Sequence, residues 1–145
     1  MAVPACFAPG LYASGQPSPD DLARLAQEGV RTVINLRAPA ELVEYDEARE
    51  AARLGLRYVA IPVSGAQDVT PETTARFSRE LEQARREGGV LVHCASANRV
   101  GALVALEHAL HRGMLSADAL ALGRKAGLTS LEPHVADLLQ QYGPG

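Results

Sequence analysis

Short apolar runs alternate with longer amphipathic segments along this chain. The runs, rich in β-branched residues, predict strands at 11–14, 30–36, 56–63 and 89–93. Helix-start residues and closing glycines predict helices over 18–29, 39–54, 70–87 and 99–112, and two further helices from Ser116 and from about Ser130. Residues 1–10 contain two prolines and no periodicity, which predicts an irregular N-terminal arm.

Strands that alternate with helices at these intervals predict the α/β class. We expect a single three-layer domain over residues 11–145, with a mostly parallel central sheet of about four to five strands flanked by helices. Ligand pockets in such sheets lie beyond the carboxyl ends of the strands. Cys94, Arg37 and the loop 64–69 all follow predicted strands, so they are expected at that edge.

The run from Cys94 to Arg99 carries the strongest chemical signal. It follows a buried strand and precedes a helix, so its backbone N–H groups and the helix dipole favour an anion, and Arg99 adds a bidentate fork. Thiolates are favoured in such surroundings, and a thiolate is the nucleophilic form of cysteine. A buried cysteine is often only a filler of the core. That alternative does not explain the arginine at the helix start or the small residues Ala95, Ser96 and Ala97.

His93-Cys94, the small residues and Arg99 resemble the signature loop of cysteine-dependent phosphatases of the dual-specificity type. Further segments of the chain agree with a narrower group, the bacterial phosphatase-like domain of beta-lactamase-hydrolase-like proteins, over about residues 11 to 140. These segments are Ser14-Gly15-Gln16-Pro17, Val33-Ile34-Asn35-Leu36-Arg37, Ile61-Pro62-Val63, Ala126-Gly127-Leu128 and Leu131-Glu132-Pro133. The resemblance implies a dual-specificity-phosphatase-like fold and hydrolysis of phosphomonoesters, on proteins carrying phosphotyrosine or phosphoserine or on small molecules, with no cofactor.

Two departures from the superfamily bear on the activity. Four residues separate Cys94 from Arg99, whereas most of these phosphatases have five. The short spacing is typical of the bacterial group, usually with Gly at the position of Ala97, but also of rhodanese-type sulfurtransferases, which hold a persulfide on the cysteine. Val100 stands where many phosphatases place Ser or Thr to help the thiolate leave, which predicts slow turnover. A sulfurtransferase or persulfide-handling enzyme is therefore the second reading, and a non-catalytic phospho-ligand binding module is the third.

The resemblance also distributes roles over the loop and its neighbours. Cys94 is the nucleophile that forms a phosphocysteine, and Arg99 clamps the phosphate together with the amides of Ala95, Ser96, Ala97 and Asn98. Asp68 is the only acid between Val63 and Glu72, so it is the predicted general acid, with a solvated loop aspartate as the alternative. The next acids to consider are Glu41, Glu44 and Asp46. His93 and Arg37 are predicted to support the site.

Composition narrows the partners. The formal net charge of −3 gives no basic face for nucleic acid, and no apolar run approaches the length of a membrane span. We therefore expect a phosphorylated substrate, no nucleic acid and no membrane, in the cytoplasm, where a reactive thiolate persists. Glu107, His108 and His111 lack a further ligand cluster, so no metal is predicted. Cys6 is read as an incidental cysteine rather than a resolving partner of Cys94.

Overall fold

A five-stranded sheet forms the centre of the molecule. The computed structural model describes residues 4–41 and 43–144, and in this part the strands are β1 Ala5–Ala8, β2 Leu11–Ser14, β3 Val30–Asn35, β4 Arg57–Ala60 and β5 Gly89–His93. Their order is β1-β2-β5-β3-β4. β1 runs antiparallel to β2, and the other three pairings are parallel. The predicted mostly parallel sheet is confirmed, with β5 at its centre.

Helices cover both faces of the sheet. They are α1 Pro19–Gln27, α2 Glu47–Arg53, α3 Pro71–Arg85, α4 Asn98–Arg112, α5 Ser116–Lys125 and α6 Glu132–Tyr142, with a short 3-10 turn at Ala66–Asp68. Ser18 accepts the Asp21 amide and Asp21 accepts the Ser18 amide, a capping box that begins α1 at the predicted place. Throughout the described ranges, no helix combines the length and the apolar character needed to cross a membrane.

Two apolar clusters separate the three layers. Val33 and Leu91 pack on one face of the sheet with α1 and α2. Ile34 and Val92, their neighbours in sequence, pack on the opposite face with α3, α4, α5 and α6. Side chains of a strand alternate between its faces, so strands with apolar residues at every position are those covered by helices on both sides. The single three-layer α/β domain expected from the sequence is thereby confirmed.

Two predicted segments differ from the structure. The irregular arm expected over residues 1–10 contains β1, because Ala5 and Cys6 pair with Ala13 and Tyr12 of β2 and bury Phe7; residues 1–3 lie outside the described part. The helix predicted over 39–54 begins only at Glu47, since Asp46 caps the Arg49 amide, and residue 42 is not described. Glu41, which precedes this cap, bonds Arg99 near the start of α4.

The helix α4 fixes the position of the loop that follows β5. All ten residues from Val100 to Ala109 are buried, as its apolar sequence predicts. Gly101 allows the backbones of α4 and the end of α5 to meet, because an added Cβ there would lie 2.6 Å from the Gly123 carbonyl oxygen. Gly123 belongs to the same close contact, because a Cβ added to Gly123 would lie 2.9 Å from the Gly101 carbonyl oxygen.

Gly101→Ala should destabilise the protein far more than an ordinary helix substitution, because the new methyl group collides with backbone rather than with a flexible side chain. We expect a loss of about 3 kcal/mol in the free energy of unfolding, measured by urea denaturation. Gly55→Ala is the comparison: its φ of +75° is unfavourable for alanine but nothing lies within 4 Å, so about 1 kcal/mol is expected. Equal losses in the two variants would contradict this account.

Candidate active site

The loop after β5 is held at the centre of the sheet edge. Cys94 is fully buried, and its amide donates to the Ser14 carbonyl of β2 at 3.3 Å. On the other side, the Leu36 amide donates to the His93 carbonyl at 2.9 Å. The strands on both sides of β5 therefore fix the backbone around the predicted nucleophile, and α4 begins four residues later at Asn98.

Ala97 turns the chain into α4 through a left-handed conformation. Its φ is +72°, and it is the one non-glycine residue with positive φ among the described positions. Glycine, usual here in the resembling group, avoids the cost of about 1–2 kcal/mol that a Cβ adds in this region. Gly127 leaves room for the turn, since an added Cβ there would lie 2.7 Å from the Ala97 oxygen. Strained backbone of this kind is common at functional sites.

The side chain of Asn98 faces away from the loop. Its Oδ1 accepts the Thr129 amide at 2.8 Å and the Leu131 amide at 3.3 Å, and its Nδ2 donates to the Ser130 hydroxyl at 2.8 Å. Asn98 thus fastens the segment between α5 and α6 to the start of α4. The side chain of Asn98 thus has structural partners, and the predicted contact of its backbone amide with a phosphate stays a prediction.

Arg99 connects the loop to two other segments at the sheet edge. Its Nη1 donates to Glu41 Oε2 at 2.6 Å and to the Val63 carbonyl at 2.7 Å, and its Nη2 donates to Glu41 Oε1 at 2.8 Å. This bidentate pair fixes the guanidinium plane. Three of its five N–H groups are used, so two, one on Nε and one on Nη2, remain on the other edge of the guanidinium.

The charges at the site reinforce each other. The hydrogen bonds from Arg99 lower the pKa of Glu41 from 4.5 to about 2, despite partial burial. The pKa of Arg99 is raised, first by Glu41 and, against the effect of burial, also by the Cys94 sulfur. Cys94 and Arg99, predicted to act together, are thus brought into contact. Glu41 was a reserve choice for the general acid, but a carboxyl with so low a pKa is ionised and has no proton to give.

His93 points to the opposite face and is fully buried. Its Nε2 bonds Glu47 Oε2, and Glu47 Oε1 accepts from Gln16 Nε2 at 2.7 Å. The Tyr45 hydroxyl donates to the Pro17 carbonyl at 2.6 Å. Burial, with the charge of Glu47 as the next cause, raises the pKa of Tyr45 to about 12, so this hydroxyl keeps its proton. The supporting place predicted for His93 agrees with this cluster beneath the loop.

Asp68 and Arg37 lie at the same edge of the sheet. Asp68 ends the 3-10 turn after β4, and its Oδ2 accepts the Ser64 amide at 2.8 Å, a bond within its own loop. His134 Nε2 contacts the next carbonyl, of Val69, at 2.9 Å and so attaches this loop to α6. Arg37 lines a cavity of about 310 Å³ beside the Glu41–Arg99 pair, together with Asn35, Tyr45, Tyr58 and Pro62.

The sequence did not predict the hydrogen-bond partners of three residues of the site, Glu41, Glu47 and Gln16. Gln16 lies in the Ser-Gly-Gln-Pro segment that carries the resemblance, but nothing in the sequence pairs it with an acid 31 residues later. Glu41 and Glu47 fall in the segment predicted as one helix, where charged residues usually mark a solvated face. The interruption of that helix before Asp46 is what turns both carboxylates toward the loop.

Two other predictions concern cysteine and metal chemistry. Cys6 is exposed on β1 opposite Tyr12, two strands away from β5. Two strand spacings, about 10 Å, exceed the roughly 7 Å limit between the Cα atoms of a disulfide, so Cys6 cannot bridge to Cys94 without a large movement. Glu107 accepts the Ser78 hydroxyl at 2.9 Å and Arg112 Nε at 2.8 Å, and no group of metal-ligating side chains occurs among the described residues.

Comparisons with known proteins agree with this geometry. The family model described as "DSP-PTPase phosphatase fused to NAD+ Kinase" matches residues 9–134. The chain belongs to this phosphatase family. A Beta-lactamase hydrolase-like protein of Xylella fastidiosa (strain Temecula1) is 37% identical over 121 residues, which cover 81% of this chain and 27% of that protein. The chain therefore spans about a quarter of the length of that curated relative.

Several solved structures share the fold of this chain. A DUF442 protein from Shewanella putrefaciens CN-32 has a TM-score of 0.72 at 28% identity, over 94% of this chain and 91% of that one. Tk-PTP in its active form has a TM-score of 0.78 at 21% identity, over 96% and 95%. A cysteine-to-serine variant of P. aeruginosa TpbA in complex with pTyr has a TM-score of 0.72 at 24% identity, over 92% and 80%. These structures share the three-layer fold, and the family model matched over residues 9–134 makes the chain a member of a dual-specificity phosphatase family.

Glu41→Gln should destabilise the phosphatase at neutral pH by about 1–2 kcal/mol, because the bond to Arg99 loses its charge. A carboxylate with a lowered pKa stabilises the folded state above the unfolded pKa and loses that contribution as the folded form is protonated. The difference between wild type and variant should therefore shrink as pH falls from 4.5 toward about 2. Urea denaturation over that range measures it, with the exposed Glu44→Gln as the control. A difference independent of pH would refute the assignment.

Proposed function

We propose that this phosphatase hydrolyses phosphomonoesters through a phosphocysteine on Cys94. The observation that carries the proposal is the fixed orientation of Arg99, whose far edge is held by Glu41 and the Val63 carbonyl, and whose pKa is raised first by Glu41 and also by the Cys94 sulfur. Its remaining N–H groups, on Nε and Nη2, match two oxygens of a phosphoryl group. The loop amides of Ala95, Ser96, Ala97, Asn98 and Arg99 supply further donors, and preorganised donors are the main requirement of phosphoryl transfer.

The reaction proceeds in two displacements. The Cys94 thiolate attacks phosphorus in line, a sulfur–phosphorus bond forms, and the bond from phosphorus to the leaving oxygen breaks as Asp68 protonates that oxygen. Water then attacks the phosphocysteine, Asp68 takes up a proton from it, and the thiolate departs to leave inorganic phosphate. Val100 is buried and offers no hydroxyl to the departing sulfur, so the second step is expected to be slow.

The substrate class follows from the edge of the site. Glu41, the partner of Arg99, lines a cavity that also has Arg37 in its wall, so a second cation lies near the site and suits a phosphorylated substrate. TpbA is known in complex with pTyr, so phosphotyrosine is the first protein substrate to test here. The loop of four residues between Cys94 and Arg99 also supports the second candidate, a sulfurtransferase in which Cys94 carries a persulfide.

Cys94→Ser should abolish phosphate release from an aryl phosphate, because the hydroxyl is not ionised at neutral pH and its Oγ is a poor nucleophile. Phosphate is measured colorimetrically, and far-UV circular dichroism checks that the variant is folded. In parallel, thiosulfate with cyanide is supplied to the wild type. Thiocyanate formation without phosphate release would contradict the proposal and identify a sulfurtransferase. Phosphate binding without either product would identify a binding module instead.

Asp68→Asn should lower kcat/KM, which reports the first displacement, in a manner that depends on the leaving group. An alkoxide needs a proton, so kcat/KM for an alkyl phosphate should fall by about 10²-fold or more, whereas a nitrophenolate leaves without one and should lose much less. The asparagine oxygen still accepts the Ser64 amide, so the loop is preserved. Asp118→Asn, exposed on α5, is the control. An equal loss of kcat/KM for both substrates would show that Asp68 is not the general acid.

A further inference from the structure

One buried carboxylate lies beneath the loop and takes no part in the proposed chemistry. The Glu47 side chain is 4% exposed, and the His93 side chain that it contacts is fully buried. Its second oxygen accepts from Gln16 Nε2 at 2.7 Å. A buried carboxylate is costly unless it is paired and hydrogen-bonded, and replacing such pairs by apolar residues is often neutral for stability. Its presence here therefore calls for a role in geometry.

The two partners of Glu47 reach the two sides of Cys94. His93 immediately precedes Cys94, and its ring is held through Nε2. Gln16 holds the other side, because its backbone amide donates to the carbonyl of Ala95 at 3.3 Å. Gly15 lies so close to the same carbonyl that an added Cβ would be 2.6 Å from the oxygen. A single carboxylate thus links the residue before the nucleophile to the segment that contacts the residue after it.

The surroundings of Glu47 keep this link in one arrangement. Tyr45 accepts from Gln16 Nε2 at 3.3 Å and donates to the Pro17 carbonyl, so the amide of Gln16 has a fixed orientation. A carboxylate accepts hydrogen bonds only, so the ring nitrogen facing Glu47 must carry a proton. The hydrogen bond of one ring nitrogen determines which protonated form a histidine adopts. Glu47 therefore selects the form of His93 in which Nε2 is protonated.

We propose that Glu47 is a positioning residue that sets the conformation of the Cys94 loop, through His93 on one side and through Gln16 and the Ala95 carbonyl on the other. The inference deepens the proposed function, on which its kinetic part rests. Loss of the carboxylate charge releases His93 and the Ser14–Gln16 segment together. The Ala95 and Ser96 amides then lose their alignment toward a bound oxyanion, although neither Glu47 nor Gln16 contacts it.

The test uses Glu47→Gln, which keeps the size of the side chain but leaves one acceptor oxygen for the two donors that Glu47 satisfies, His93 Nε2 and Gln16 Nε2. Glu50→Gln is the matched control, since Glu50 lies on the same helix and pairs with the exposed Arg53. Nitrogen-15 spectra of His93 report which ring nitrogen carries the proton. Amide hydrogen exchange at Ala95 and Ser96 reports the loop, titration with inorganic phosphate reports the anion site, and aryl phosphate turnover reports the chemistry.

In Glu47→Gln we expect the His93 signals to shift away from the Nε2-protonated form and exchange at Ala95 and Ser96 to rise about tenfold. The Kd for phosphate should rise, and kcat should fall about 10–100-fold. This loss is like the one seen when the hydrogen-bond partner of a metal-binding histidine is removed. Glu50→Gln should behave as wild type. A lower melting temperature with unchanged His93 signals, exchange and Kd would show a merely structural role and overturn the proposal.

Gln16→Ala provides an independent variant, and it also serves if Glu47→Gln does not fold. It should raise exchange at Ala95 and Ser96 in the same way, and the double variant should lose little beyond the worse single one, because both act through one link. Fully additive losses would overturn the proposal. If the wild type releases no phosphate, the proposed function fails, whereas the spectra, the exchange rates and phosphate binding still decide the role of Glu47.

Discussion

The architecture of the site depends on the hydrogen bonds that the Arg99 guanidinium donates to two other segments of the chain. The guanidinium joins the start of α4 to the loop after β3 through Glu41 and to the segment after β4 through the Val63 carbonyl. Leu36 already connects the ends of these strands, because its amide donates to the His93 carbonyl and its carbonyl accepts the Val63 amide, and Arg99 adds the side-chain connection to the start of α4. The same contacts of Arg99 leave the Nε edge of the guanidinium without a bond to Glu41 or Val63, so holding the loops together and orienting the cation are one arrangement.

The rest of the fold makes that arrangement rigid. The glycine contact between α4 and the end of α5 fixes the helix axis, and Asn98 attaches the next connection to the first turn of α4. The left-handed Ala97 can persist only because these contacts over-determine its neighbourhood. A short loop with its donors fixed before a ligand arrives requires little reorganisation when charge develops, and this is what electrostatic stabilisation of phosphoryl transfer needs.

Much of this was accessible from the sequence, for identifiable reasons. The strand–loop–helix around Cys94 has apolar periodicity on both sides, so its elements, the parallel sheet and the proximity of Arg99 to Cys94 follow from local patterns. The partners Glu41 and Glu47 do not. Their segment has the composition of an amphipathic helix, but the helix begins only after its cap Asp46, and Glu41 lies before that cap and bonds Arg99. β1 was missed because a four-residue edge strand carries too few residues for periodicity.

The two carboxylates beside the loop, Glu41 and Glu47, have different electrostatic effects on it. Glu41 is ionised and lies beside Arg99, so it reduces the net positive charge that an incoming anion meets, while it fixes the direction of the remaining donors. Glu47 lies on the other face, where His93 separates its charge from the sulfur. An anion site built this way depends on direction more than on net charge. Selectivity for a tetrahedral oxyanion over a simple anion should therefore come from the loop amides and the exposed edge of Arg99, whose geometry both carboxylates maintain.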